Sequence, residues 1–171
     1  MIVAIIGVAA TAIADEQTTD DTVSVYRKAL KEYPREREPL NWAMAQHNLG
    51  NALRILGERR GDEAQLHEAV AAYREALKEY TREREPLDWA ITQHNLGHAL
   101  RVLGERWGDE TQLREAVAAY RESLKEYTRE RMPPDWAAIQ NNLRSVYNTL
   151  GERWGDETQL HEAVAAFREF L

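Results

Sequence analysis

Apolar residues recur along this chain at the three- and four-residue spacing of amphipathic helices. In its central part, Trp89, Leu96 and Leu100 fall on one face of a helix predicted to run from Leu87 to Leu103. The proline before this segment suits a first helical position, where a missing N–H costs nothing. Gly104 is expected to end the helix, because glycine is common at helix C-termini.

A second helix is predicted after a short turn. Asp109 is a good N-cap residue, and Gln112, three positions on, completes a capping box. The helix is expected to reach Tyr127. Its apolar stripe consists of Leu113, Ala116, Val117, Tyr120 and Leu124. The two helices form one pair, and nothing in the pattern indicates a β-strand.

This helix pair recurs with a period of 47 residues. Three tryptophans and six glycines keep the period, namely Trp42, Trp89, Trp136, Gly57, Gly104, Gly151, Gly61, Gly108 and Gly155. Residues 58–104 and 105–151 are identical at 32 of 47 positions. One pair cannot bury its apolar face alone, so neighbouring pairs are expected to stack and share a core.

The differences between these two units cluster in the first helix of the pair. Nine of the 15 differing positions lie between Ile91 and Val102 or their counterparts 47 residues on. A constant scaffold beside a changing surface is what a binding groove produces. A second interpretation is that the last unit decays into a cap, because Arg144 replaces Gly97 where helices must approach closely.

The repeat predicts an all-α fold of about eight helices in one domain, residues 1–171. Residues 1–18 form a degenerate apolar helix or a signal-like segment, and 19–39 the second helix of the first unit. Complete units follow at 40–86 and 87–133, and a truncated unit at 134–171.

Composition narrows the function classes. In this chain, 43% of the residues are hydrophobic and 30% are charged, which is typical of a folded protein. Its net charge of -7 disfavours nucleic acid as a binding partner. It has no cysteine, so no thiolate can ligate a metal or act as a nucleophile. His94 and His98 share a helix face, but no carboxylate completes a zinc site. Without a catalytic motif, we expect neither an enzyme nor a cofactor or metal.

The two ends of the chain are apolar. Residues 1–14 carry no charged side chain, and as a helix they span about 21 Å, short of the roughly 30 Å of a bilayer core. We therefore expect no membrane span and a cytoplasmic protein, or an exported one if this segment acts as a signal peptide. Exposed apolar ends also suggest self-association into a homo-oligomer through Ile2, Ile5, Ile6, Phe167, Phe170 and Leu171.

These helix pairs resemble tetratricopeptide repeats. Leu49-Gly50 and Leu96-Gly97 match the family's first helix, and Ala69, Tyr73 and Ala76 match its second. The usual unit has about 34 residues. A 47-residue unit resembles the long variant of bacterial multi-repeat proteins, with about seven residues added between the helices and six between units. Such arrays often accompany signalling or protease-like domains, so the resemblance leaves open a regulatory repeat array of a larger signalling protein.

The resemblance implies a right-handed solenoid of antiparallel helix pairs whose first helices line a concave groove. Such a groove binds a protein or peptide segment and implies no catalysis. By analogy, the groove residues are His47, Asn48, Asn51, Arg54, His94, Asn95, His98, Arg101, Asn141, Asn142, Ser145 and Asn148. Asparagines can pair with a ligand backbone and Arg54 or Arg101 with a carboxylate. Alternatively, these are ordinary solvated polar residues.

Overall fold

The computed structural model of the protein describes residues 16–155 and residue 158. These residues form six α-helices and no β-strand, which confirms the all-α prediction. Eight helices were expected. The other two were expected within residues 1–18 and at the end of the last unit, 134–171, and residues 1–15, 156–157 and 159–171 lie outside the described residues. No helix in the described part is long and apolar enough to cross a membrane.

The chain divides into two compact units, Met1–Glu79 and Tyr80–Leu171. In unit 1, α1 spans Glu16–Glu32, α2 spans Pro39–Arg60 and α3 spans Glu63–Ala76. Helix α2 packs against both α1 and α3. Because only two residues connect α2 to α3, these helices form an antiparallel pair.

Unit 2 repeats this arrangement. Helix α4 spans Pro86–Trp107, α5 spans Glu110–Ser123 and α6 spans Pro133–Trp154. Helix α5 packs against both α4 and α6, and α4 also contacts α6. The pairs α2–α3 and α4–α5 have the same helix lengths. The first helix of each pair has 22 residues and the second has 14.

The end of α4 differs from the prediction. The helix does not stop at Gly104 but continues for a further turn, and Gly108 ends it at φ 73°, in the left-handed region that favours glycine. Gly104 serves a different purpose. A Cβ there would clash with Leu113 and lie 2.9 Å from the backbone oxygen of Asp109, so its small size permits the tight turn into α5.

The start of α5 was predicted in part. Asp109 is its N-cap and accepts hydrogen bonds from the backbone N–H groups of Thr111 and Gln112. The capping box is not closed, because the buried Oε1 of Gln112 has no hydrogen-bond partner. The helix also ends at Ser123 rather than at Tyr127, and the last four residues of the predicted helix lie outside it.

The core of each pair centres on one tyrosine. Tyr73 of α3 is fully buried, and its ring lies so close to α2 that a Cβ on Gly50 would be 2.7 Å from the ring carbon Cε1. Tyr120 of α5 is equally buried, and a Cβ on Gly97 of α4 would be 2.9 Å from its ring. In each unit, the glycine therefore allows the tyrosine ring to pack directly against the backbone of the facing helix.

We predict that Gly50→Ala destabilises the protein, although alanine is the better helix former. Tyr73 is fully buried, so the ring cannot move away from the added methyl group. Overpacking of this kind lowers the free energy of unfolding by about 1–3 kcal/mol. Chemical denaturation of the wild type and the variant measures the loss.

The matched control places the same substitution in a Tyr73→Leu background. Without the ring, alanine should be neutral or should stabilise the helix by up to about 1 kcal/mol. An equal loss in both backgrounds would show that the contact between Gly50 and Tyr73 is not the cause.

Candidate functional site

In unit 1, three of the expected groove residues surround the tyrosine of the core. The hydroxyl of Tyr73 donates to Oδ1 of Asn51 over 2.8 Å. The ring of His47 meets the tyrosine ring edge-on, with 5.9 Å between ring centroids. His47, Asn51 and Arg54 are all half-buried. These side chains therefore hold α2 against α3 in addition to bordering the surface of α2.

Arg54 is paired within its own helix. Its Nη1 donates to Oε1 of Glu58 over 2.5 Å. Burial lowers the pKa of Arg54, but the nearby Tyr73 and Glu58 outweigh this effect and hold the pKa above its usual value. A ligand carboxylate would have to compete with Glu58 for this guanidinium group.

In unit 2, α4 repeats part of this arrangement. The ring centroid of His94 lies 5.8 Å from that of Tyr120, and Nη1 of Arg101 donates to Oε2 of Glu105 over 2.6 Å. The arginine–glutamate pair thus recurs at the same position of the repeat. Sequence reasoning identified the arginines but not the glutamates one helical turn later, although the i,i+4 spacing is a signal for such pairs.

Helix α6 lies beside α4 and adds a second polar row. The amide Nδ2 of Asn142 lies 3.3 Å from Nε2 of His94, a hydrogen bond in which the amide donates. The hydroxyl of Ser145 donates to Oε1 of Glu105 over 3.3 Å, and Nη1 of Arg153 donates to the backbone oxygen of Glu105 over 2.9 Å. These bonds join the two helices into one surface, which we call the α4–α6 face.

The expected groove residues differ in exposure. Asn141, Ser145 and Asn148 of α6 are exposed. The other nine are half-buried, namely His47, Asn48, Asn51, Arg54, His94, Asn95, His98, Arg101 and Asn142. The most accessible polar groups among the twelve therefore belong to α6.

Sequence analysis missed an exposed apolar pair on the α4–α6 face. Leu87 and Ile91, one helical turn apart on α4, are 45% and 39% exposed. With 3.6 residues per turn, they lie on the same side of α4 as His94 and opposite the buried Trp89. The sequence could have revealed this pair. The apolar stripe through Trp89 already forms the core side of α4, so apolar residues on the opposite side are expected to be exposed.

Two other expectations concern a metal site and self-association. Among the described residues, no three histidine, aspartate or glutamate side chains form a group able to hold a metal ion. The residues expected to mediate self-association are Ile2, Ile5, Ile6, Phe167, Phe170 and Leu171. All six lie outside the described residues, so this hypothesis stays a prediction.

Successive antiparallel helix pairs with the same tyrosine–glycine contact define an α-helical repeat protein. A family model described as tetratricopeptide repeat matches residues 42–79 and 89–126. The first match covers the pair α2–α3 and the second the pair α4–α5. Both helix pairs are thus tetratricopeptide repeats. No curated protein matches it.

His47, the half-buried histidine beside Tyr73, makes the stability of the protein depend on pH. Burial lowers the pKa of His47 from 6.5 to about 4. The unfolded chain therefore binds a proton at a higher pH than the folded chain does. Stability should fall as the pH drops from about 6.5 to about 4. The loss from this group is up to about 3 kcal/mol, which urea unfolding at several pH values will measure.

The test compares the pH dependence of two variants. His47→Gln should remove this part of the decline, whereas His67→Gln, which replaces an exposed histidine on α3, should keep it. If the wild type and His47→Gln lose stability in parallel between these pH values, the assignment to His47 is wrong.

Proposed function

We propose that this protein is a non-enzymatic scaffold that binds a segment of a partner protein on the α4–α6 face. Tetratricopeptide repeats generally mediate protein–protein interaction, and the family is a non-catalytic repeat scaffold. The proposal adds the location of the binding surface and the chemical character of the bound segment. The bound segment supplies apolar side chains and an accessible backbone.

The observation that carries the proposal is the exposed pair Leu87 and Ile91. Isolated exposed apolar residues are ordinary, but these two lie one turn apart on the surface side of α4. Full burial of such a side chain by a partner contributes roughly 1.5–3 kcal/mol. Two neighbouring side chains of this kind can therefore anchor a segment.

Polar groups of α6 can orient the segment. Asn141, Ser145 and Asn148 offer donors and acceptors on the exposed side of α6. Backbone groups of an extended or helix-terminal segment need such partners when they leave water. The net charge of -7 favours a protein over a nucleic acid as the partner. The cytoplasmic location and the absence of catalytic activity remain predictions.

The proposal predicts that peptides selected on the protein bind through Ile91. Random peptides displayed on phage are selected on the full-length wild-type chain, and the affinity of the recovered peptides is measured by calorimetry. Ile91→Lys places a charge in the apolar anchor. It should weaken binding by roughly tenfold or more, as the loss of a central contact does. Ser145→Arg should also weaken binding, because it replaces one of the exposed polar groups of α6 with a bulky charged side chain.

Val25→Lys provides the matched control. Val25 is 47% exposed on α1, so this change adds the same charge at an apolar position with similar exposure. The control should bind the selected peptides as the wild type does. Peptides that bind Ile91→Lys and Val25→Lys equally well would place the binding surface elsewhere.

A further inference from the structure

Two exposed carboxylates lie at the end of the α4–α6 face where its helices begin. Asp88 is in the first turn of α4, and Asp135 is in the first turn of α6. Asp88 directly follows Leu87 and precedes Ile91 by three positions, so on the helix surface it borders the exposed apolar pair. Negative charge therefore adjoins the proposed apolar anchor.

The two helices run in the same direction, so their first turns lie side by side. Near the middle of the face, His94 of α4 is bonded to Asn142 of α6. Near its far end, Glu105 of α4 is bonded to Arg153 of α6. Both pairs are 48 residues apart, and a constant separation of this kind is a property of parallel helices.

A buried tyrosine lies close to both aspartates. Tyr127, which follows α5, is 9% exposed. Burial raises the pKa of Tyr127, and the charges of Asp135 and Asp88 raise it further. Two carboxylates on neighbouring helices thus act on one hydroxyl group. Their combined negative charge, which opposes release of the tyrosine proton, also favours a cation at this place.

The two aspartates are open to a cation from outside the chain. Both are exposed, and neither forms an ion pair with a lysine or arginine of the described residues. Arg131, four residues before Asp135, donates instead to Glu126. A partner can therefore bring a positive charge to Asp88 and Asp135 without breaking an ion pair within this part of the chain.

The fold of the repeat does not require an aspartate at this position. In α2, the same repeat position holds Asn41, whose amide donates to Glu38 over 2.6 Å. Helix α2 nevertheless has the same length as α4 and α6 and also begins at a proline. Among these three helices, the aspartate is thus confined to the two that form the α4–α6 face, and asparagine is a replacement that the fold accepts.

We propose that the segment bound on the α4–α6 face carries a lysine or arginine, which lies between Asp88 and Asp135. Its apolar side chains then cover the adjacent Leu87 and Ile91. This inference rests on the binding surface proposed above and adds the charge of the partner. The net charge of -7 attracts a basic segment over longer distances as well. An acidic segment would meet like charges and is disfavoured.

A double-mutant cycle between protein and peptide tests the proposal. Peptides selected on the full-length wild-type chain are first sorted by Ile91→Ala, and those that this variant binds more weakly are kept. Each should contain a lysine or arginine, which a second synthetic peptide replaces with methionine. The double variant Asp88→Asn with Asp135→Asn should weaken the basic peptide by roughly three- to tenfold, as lost ion pairs do, and the methionine peptide much less.

Salt dependence gives an independent measurement. Raising sodium chloride from about 0.1 M to about 1 M shortens the Debye length from about 10 Å to about 3 Å. Binding of the basic peptide to the wild type should weaken over this range. Its binding to the double variant should change less, because the two charges that salt screens have been removed.

The matched control is Asp21→Asn with Glu36→Gln, which removes two exposed charges from unit 1 and should bind as the wild type does. Circular dichroism checks that every variant is folded. If the peptides that depend on Ile91 lack basic residues, or bind the double variant unchanged, the inference is wrong and the binding surface stands. If no selected peptide depends on Ile91, the inference and the binding surface are both wrong.

Discussion

Each helix pair depends on a close contact between a buried tyrosine and a glycine of the facing helix. Tyr73 over Gly50 and Tyr120 over Gly97 set the distance between the helices, because any side chain at the glycine would overlap the ring. Close-packed interiors cannot absorb such an overlap cheaply. The rest of each pair, including the direction in which its polar side chains point, follows from this contact.

The same contact explains why the expected groove residues are only partly available to a ligand. A tyrosine brought this close needs a partner for its hydroxyl, and Asn51 accepts from Tyr73. His47 packs against the same ring and loses water, which lowers its pKa. Binding on the surface then depends on side chains that the tyrosine does not engage. On the α4–α6 face, these are Leu87 and Ile91 with the exposed residues of α6.

The sequence was sufficient to predict the helices, their pairing, the N-cap at Asp109 and the core stripe through Trp89. These features depend on local spacing, which is visible in a single chain. It was not sufficient to predict that Gly104 lies inside α4, because a helical glycine and a terminal glycine look alike until the opposing Leu113 is known. For the same reason, residues expected as an insertion between the helices became the last turn of α4. Partners such as Glu105 for Ser145 depend on distances between helices and could not be predicted.

The differences between α4 and α6 fall into two physical groups. Ile91 and His98 correspond to the smaller, exposed Ala138 and Ser145, which changes what the surface presents. In the core, the leucine at position 100 corresponds to Tyr147, which is buried and whose hydroxyl accepts from Arg121. The glycine of the tyrosine contact corresponds to the exposed Arg144. A helix with an aromatic ring at the usual position could not approach α6 as Tyr120 approaches α4. The third repeat thus keeps the period of the sequence but carries an arginine where the first two carry the glycine of the tyrosine contact.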